Sequence, residues 1–165
     1  MSDVPTVLTV CLGNICRSPT AAAAIEEAAD AAGVPVTVTS AGTGSWHVGK
    51  LPDRRMRAAA AEEGLELTGR AQQVDADLLA EADLVLVMDA HNHADVQRLA
   101  DQAGVDTPVR MFREFDPQAD DDLEVPDPYY GGAEGFAEVV AICRRTAGEV
   151  VAHLSAGRDQ GAAAG

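Results

Sequence analysis

Val7-Leu8-Thr9-Val10-Cys11-Leu12-Gly13-Asn14-Ile15-Cys16-Arg17-Ser18-Pro19 is the stretch that decides how this chain folds. Its first four residues form a hydrophobic run that reads as a strand, and Thr20 to Ala32 beyond it is strongly helical in composition. The segment between them is therefore a short loop joining a strand to a helix N-terminus. Five residues separate Cys11 from Arg17, enough for the loop to wrap one small tetrahedral anion with both side chains turned toward it. A helix N-terminus leaves backbone N–H groups unpaired and carries the positive end of the helix dipole, so it attracts anions. Successive loop N–H groups converge in the same way.

The residue types agree with that geometry. Gly13 and Asn14 best tolerate the positive φ of a tight concave loop. Ser18 suits the N-cap and Pro19 the first helical position. Cys11 would lie in an electropositive pocket, the setting in which a cysteine acts as a nucleophile. Arg17 offers a planar fork matched to two phosphate oxygens. The Gly-Lys-Ser/Thr ending of a nucleotide-binding loop is missing, so the loop reads as one that holds a phosphoryl group in order to attack it.

Working outward, strand and helix signals alternate to the end of the chain. Gly33 closes the first helix and Val36–Ser40 reads as a second strand. A Gly-rich loop, Ala41 to Gly49, carries the single Trp46. Pro52-Asp53 opens a helix that Gly64 ends, and a small helix is expected from Asp75 to Glu81. Leu84 to Met88 is a continuous apolar run, the signature of a strand buried on both faces. A helix from Asn92 to Ala103, a short strand Val109-Arg110-Met111 and a long polar loop from Phe112 to Gly132 follow. Loops of that length are usually functional or mobile. A last amphipathic helix is expected from Ala133 to Ser155, with Phe136, Val139, Val140, Cys143, Ala147, Val150, Val151 and Leu154 on one face.

This order implies an α/β fold, a single domain over residues 1–156 with four parallel strands flanked by helices and joined by right-handed crossovers. A disordered tail is expected from 157 to 165. Ligands in such sheets bind beyond the carboxyl ends of the strands, which places Cys11, Ser40, Met88-Asp89 and the long loop after Met111 on one side.

The 165 residues carry a formal charge of −15, which argues against nucleic acid or an anionic membrane surface as a partner. Screening beyond about 8 Å at physiological salt still lets a local basic pocket hold an anion. No apolar run reaches the length of a membrane span, and Met1 to Pro5 lacks the features of a signal peptide, so a cytoplasmic location is expected. Three cysteines at irregular spacing favour neither a disulfide framework nor a zinc site.

A thiolate attacking a phosphate monoester needs an acid to protonate the leaving oxygen. Pro126-Asp127-Pro128-Tyr129-Tyr130-Gly131 is the candidate source, with prolines stiffening the backbone around Asp127 and two tyrosines able to wall a pocket for a flat group. A plain surface turn with the tyrosines packed on the core is the competing reading.

The segment Val10 to Pro19, together with Asp127-Pro128-Tyr129-Tyr130 far down the chain, resembles the low-molecular-weight protein tyrosine phosphatases. Secondary matches at Ser40-Ala41, Trp46-His47-Val48-Gly49 and Met88-Asp89 extend the similarity over nearly the whole sequence. The resemblance implies the strand order 2-1-3-4 and a metal-independent, cofactor-free, two-step hydrolysis of phosphotyrosine through a phosphocysteine on Cys11. Asp127 would serve first as acid and then as base, and inorganic phosphate would be a product. Arg17 and the loop residues Leu12, Gly13, Asn14, Ile15, Cys16 and Ser18 would hold the phosphoryl oxygens. By the same resemblance Asn14 reaches Ser40, Ser18 donates to Cys11, and Trp46, Tyr129 and Tyr130 grip an aromatic ring. The partner implied is a phosphotyrosine-bearing protein, with a tyrosine kinase acting on Tyr129 or Tyr130 as a further candidate.

Members of this family often carry a histidine near Gly69, and Gly69-Arg70-Ala71 has none. The extra cysteines of related arsenate reductases are missing from Ala80 to Ala94. Relatives acting on phosphoarginine tend to have threonine where this chain has Ile15. Cys16 is close enough along a curled loop to trap an oxidised Cys11 as a disulfide, the alternative being a plain small loop residue. Cys143 falls on an apolar helix face and reads as core. His91 and His93, at i and i+2, do not face each other as a metal pair would.

Overall fold

A computed structural model describes residues 4–164, with side chains through 157. Its sheet holds four parallel strands, β1 (Thr6–Cys11), β2 (Thr37–Gly42), β3 (Leu84–Val87) and β4 (Val109–Met111), in the spatial order β2-β1-β3-β4. Between them run α1 (Arg17–Ala32), α2 (Arg54–Glu62), α3 (Ala76–Glu81) and α4 (Ala90–Ala103), and α5 (Ala133–Ala164) follows. The fold class and strand order are those expected.

Alternation along the central strands divides the core into two layers. Val7, Leu84 and Leu86 face α1, α2 and α5, joining Ile25, Met56, Phe136, Val140 and Val150. Leu8, Val10, Val85 and Val87 face the other way, onto Leu79, Val96 and Ala100 of α3 and α4. Because both faces of β1 and β3 are covered, their sequences run apolar rather than alternating with polar residues. Thr9 is the buried exception in β1, and its hydroxyl is satisfied by donating to the Ser18 carbonyl at 2.9 Å.

The ends of the elements follow their caps. Asp53, Asp75 and Asp89 accept backbone N–H groups at the starts of α2, α3 and α4, as short polar residues do at N-caps. Gly33 and Gly104 take the left-handed conformation at the ends of α1 and α4 (φ 68° and 69°).

Two expectations are corrected. The long loop does not lack structure throughout, because Phe112–Phe115 forms a 3-10 helix directly after β4. The segment 157–164, expected as a disordered tail, continues α5. Gly157 and Gly161 cost a helix about 1 kcal/mol each relative to alanine, too little to end one whose preceding turns are already packed on the core. Gly165 and Met1 to Asp3 lie outside the described residues. Among the described residues no helix is long and apolar enough to cross a membrane.

The register aligns Cys11 with Gly42 and Val10 with Val87. The carboxyl ends of three strands thereby meet, and the segments that leave them build one site.

Candidate active site

Cys11 ends β1 and is 2% exposed. Its sulfur accepts the Asn14 backbone N–H at 3.2 Å and lies 3.0 Å from Ser18 Oγ. Asn14 Nδ2 donates to Ser18 Oγ at 2.8 Å, which leaves the Ser18 hydroxyl hydrogen two acceptors, the Cys11 sulfur at 3.0 Å and the Ala41 carbonyl at 3.4 Å. Ser18 is consequently not an N-cap. α1 begins at Arg17 after a non-helical Cys16 with no side-chain cap, and the serine hydroxyl is engaged by Cys11 and Asn14 instead.

Of the two residues expected to take positive φ, only Asn14 does (φ 58°). Gly13 leaves room for the imidazole of His47: a Cβ there would come within 2.9 Å of His47 Cδ2, and the ring would have to shift. The loop carbonyls accept from outside the loop, Cys11 from the Thr43 N–H, Leu12 from the Gly44 N–H and Ile15 from the Asp53 N–H, at 2.8 to 2.9 Å. With the carbonyls so used, the loop N–H groups are the polar atoms left for an anion.

Asn14 and Ser18 stand behind the cavity rather than in its lining. Asn14 Nδ2 also reaches Ser40 Oγ at 3.0 Å, as the resemblance implied, and Asn14 Oδ1 accepts the Gln72 N–H at 3.0 Å. Gln72 Nε2 in turn donates to the Ser40 carbonyl. The support missing at Gly69 to Ala71 is thus provided by Gln72, mainly through its backbone, where a sequence carries no signal.

Arg17 is 4% exposed. Its Nη1 donates to Asp89 Oδ2 at 2.8 Å and to the Val125 carbonyl at 3.1 Å, while Nη2 lies 3.8 Å from Asp127 Oδ2. Burial opposes its charge, but Cys11, Asp89 and Asp127 outweigh burial and hold the guanidinium above its ordinary pKa. Asp89 was not among the expected site residues. The available signal was an acidic residue at the end of a fully buried strand on the ligand side of the sheet.

Asp127 arrives from the far loop. Its Oδ1 accepts the Tyr129 N–H at 3.1 Å in a tight local turn. The preceding residues are fixed, with Val125 N–H donating to the Met88 carbonyl at 2.8 Å. A cavity of about 370 Å³ opens between Asp127 and the loop, lined by Cys11, Leu12, Gly13, Ile15, Cys16 and Arg17 below. Trp46, His47, Tyr129 and Tyr130 form its rim. Trp46 is 69% and Tyr130 93% exposed; Tyr129 stacks edge-on to Tyr130 at 5.0 Å and lies 6.4 Å from the His47 ring. A Cβ at Gly44 would run into the Trp46 indole, which accounts for a glycine-rich loop at the tryptophan. His47 was not among the expected site residues, although its neighbour Trp46 was and the pair lines the rim together.

Cys16 is buried, and its thiol is pushed up to about 12 by burial, Asp53 and Cys11. Cys143 is fully buried in the core, which pushes its thiol up as well. All three cysteines are free. Among the described residues no group of three His, Cys, Asp or Glu side chains is arranged to hold a metal ion.

The sequence model of the family described as low molecular weight phosphotyrosine protein phosphatase matches residues 6–160. The chain is 45% identical over 146 residues to low molecular weight protein-tyrosine phosphatase A of Mycobacterium tuberculosis, covering 86% of each chain. It is 43% identical over 135 residues to a low molecular weight protein-tyrosine-phosphatase of Streptomyces coelicolor, covering 80% of this chain and 82% of that one. Its fold superposes on a protein tyrosine phosphatase from Entamoeba histolytica, solved with Hepes in its active site. That match has a TM-score of 0.86 and 30% identity and covers 93% of this chain and 99% of the other.

Proposed function

Since the chain belongs to the low molecular weight phosphotyrosine protein phosphatase family, and so to the phosphoric monoester hydrolases, we propose that it hydrolyses phosphotyrosine in proteins through a phosphocysteine on Cys11. The observation that carries this reading is the convergence of Cys11, Arg17 and Asp127 on one cavity walled by aromatic rings. The phosphoryl group sits in the loop with its equatorial oxygens on the loop N–H groups and the free edge of Arg17, contacts that tighten as charge develops in the transition state. The Cys11 sulfur bonds to phosphorus as the bond to the tyrosyl oxygen breaks, and Asp127 gives its proton to that oxygen. Water then bonds to phosphorus, the P–S bond breaks, Asp127 takes the water's proton, and inorganic phosphate leaves with Cys11 restored as a thiolate.

Arg17 and the start of α1 supply the positive charge, so the reading calls for no metal and no cofactor. Ser18 and Asn14 support the sulfur. Ile15, in the cavity floor, offers an apolar contact that suits a tyrosyl ring better than a guanidinium. Cys16 serves as a redox guard, condensing with a Cys11 sulfenic acid to a disulfide with loss of water. A nucleophilic thiol kept reduced fits a cytoplasmic location. A tyrosine kinase would find Tyr130 accessible.

A binding module without turnover is favoured only by the missing histidine. The Asn14–Gln72 bond removes that ground. Turnover of matched phosphotyrosine, phosphoarginine and phosphoserine peptides tests the reading: phosphotyrosine should be hydrolysed preferentially, and a preference for either other residue overturns it.

A further inference from the structure

One buried ionic cluster stands outside the cavity and has no part in the chemistry just described. The Asp116 side chain is fully shielded from solvent. Arg145 of α5 grips it with two bonds, Nε to Oδ1 at 2.9 Å and Nη2 to Oδ2 at 3.0 Å. Gln118 N–H donates to Oδ1 at 2.8 Å and Arg113 Nε to Oδ2 at 2.9 Å. A planar guanidinium held at its Nε by a fixed carboxylate has a fixed direction for its other nitrogens. Arg113 Nη1 uses that direction to donate to the Glu124 carbonyl at 2.9 Å.

Glu124 is three positions before Asp127. Its carboxylate accepts the Ala90 N–H at 2.8 Å, and Val125 is bonded on both sides, to Met88 and to Arg17. Residues 124 and 125 therefore form a pedestal with four ties, from which Pro126 and Asp127 project. Among the described residues, the charged partner near Asp127 Oδ2 is Arg17 Nη2, at 3.8 Å, beyond hydrogen-bond distance. That contact is too long to hold the acid firmly across the site. Its placement is inherited from the pedestal.

We propose that Asp116 and Arg113 are positioning residues for the general acid: the buried carboxylate, anchored on α5 through Arg145, sets Arg113, and Arg113 sets the height of the Glu124–Asp127 segment over Cys11. The inference rests on the phosphatase reading of the site and assigns its acid half a support that runs to the C-terminal helix. Neither residue lines the cavity, although Arg113 lines an adjoining pocket together with Arg17 and Asp127. The phosphate-binding loop has its own support in Asn14, Ser40 and Gln72, and the two halves share one tie, from Arg17 to the Val125 carbonyl.

This division makes the proposal testable by leaving group. A general acid matters most where the leaving oxygen is a poor one, and kcat/KM reports the step in which that oxygen departs. In Arg113→Met, kcat/KM for phenyl phosphate should fall about tenfold, a fraction of the range that general acid catalysis spans. For 2,4-dinitrophenyl phosphate, whose leaving group needs no proton, the same variant should stay near wild type. The inhibition constant of inorganic phosphate should move far less, because Arg17 keeps its pair with Asp89 and the loop keeps Asn14, Ser40 and Gln72 even where the Val125 tie is loosened. Arg113→Lys, which can make one tie but not both at fixed angle, should fall between. Asp116→Asn should reproduce the pattern, and if it does not fold, Arg113→Met decides alone, since it leaves the Asp116–Arg145 pair intact. Equal losses on both substrates, or no loss on either, would overturn the proposal. A wild-type protein that hydrolyses neither substrate would instead count against the phosphatase reading itself.

Discussion

Arg17 Nη1 lies 2.8 Å from Asp89 Oδ2, a charged pair joining residues 72 positions apart in the chain, one opening α1 and the other capping α4. The same Asp89 caps α4 through its other oxygen, which accepts the Asn92 N–H at 2.7 Å. One carboxylate therefore fixes both the start of a helix and the direction of the Arg17 guanidinium.

Asp89→Ala should weaken phosphate inhibition and lower kcat/KM together, since a released Arg17 no longer presents its fork to the anion. Removing one partner of a buried pair leaves the other uncompensated, so a stability loss of about 3 kcal/mol is expected, measured by urea unfolding. Asp89→Asn keeps a capping side chain and should recover part of the stability with little of the activity.

Asn14 combines a left-handed backbone with three side-chain bonds. Asn14→Gly preserves the backbone preference and loses the bonds, whereas Asn14→Ala loses both. Both should lower kcat/KM, and Asn14→Ala should be the less stable by about 1 kcal/mol, the difference in strain at a positive φ. Thermal unfolding alongside kinetics separates the two contributions.

The loop and the arrival of Asp127 at its cavity are legible in the amino-acid sequence because the signals are local. A strand, a Cys-x5-Arg loop and a helix start are contiguous, and Asp127 is framed by its own prolines. The partners of Arg17 and Asn14 are not legible in the same way. Asp89 meets Arg17 because β3 pairs with β1, Val125 because a loop bond ties it to the Met88 carbonyl, and Gln72 serves Asn14 mainly through a backbone N–H that any residue carries. Ser18 reads as an N-cap because cap preference is a local rule, and here a tertiary demand from Cys11 overrides it. The continuation of α5 past Ser155 is hidden because glycines in a sequence mark a cost, not a certain end.

The Asp116 carboxyl feels burial, which raises its pKa, but the bonds from Arg145, the Gln118 N–H and Arg113 outweigh it and bring the group down to about 2 from 3.8. The folded protein thus binds this proton less tightly than the unfolded chain. The contribution is full above about pH 4 and is lost as pH falls through about 2, amounting to about 2 kcal/mol. The gap in unfolding free energy between wild type and Asp116→Asn should be constant from pH 7 to about pH 5 and shrink below about pH 4. A gap that does not change over that range would show that the carboxylate's charge contributes nothing.

Peroxide should inactivate the wild type in a form that a thiol reductant restores. Cys16→Ser should lose activity irreversibly under the same treatment, because a Cys11 sulfenic acid then has no neighbouring thiol to condense with. Recovery assays after dithiothreitol, with mass spectrometry of the peptide that contains both positions, read the outcome. Equal recovery in both proteins would remove Cys16 from this role.

The covalent step is the centre of the account, and trapping it is the most direct test. Wild type mixed rapidly with p-nitrophenyl phosphate and quenched in acid during the first turnover should carry one phosphoryl group, mapped by peptide mass spectrometry to Cys11. Cys11→Ser should carry none and turn over no substrate. A phosphoryl group on any other residue, or turnover that persists in Cys11→Ser, would contradict it.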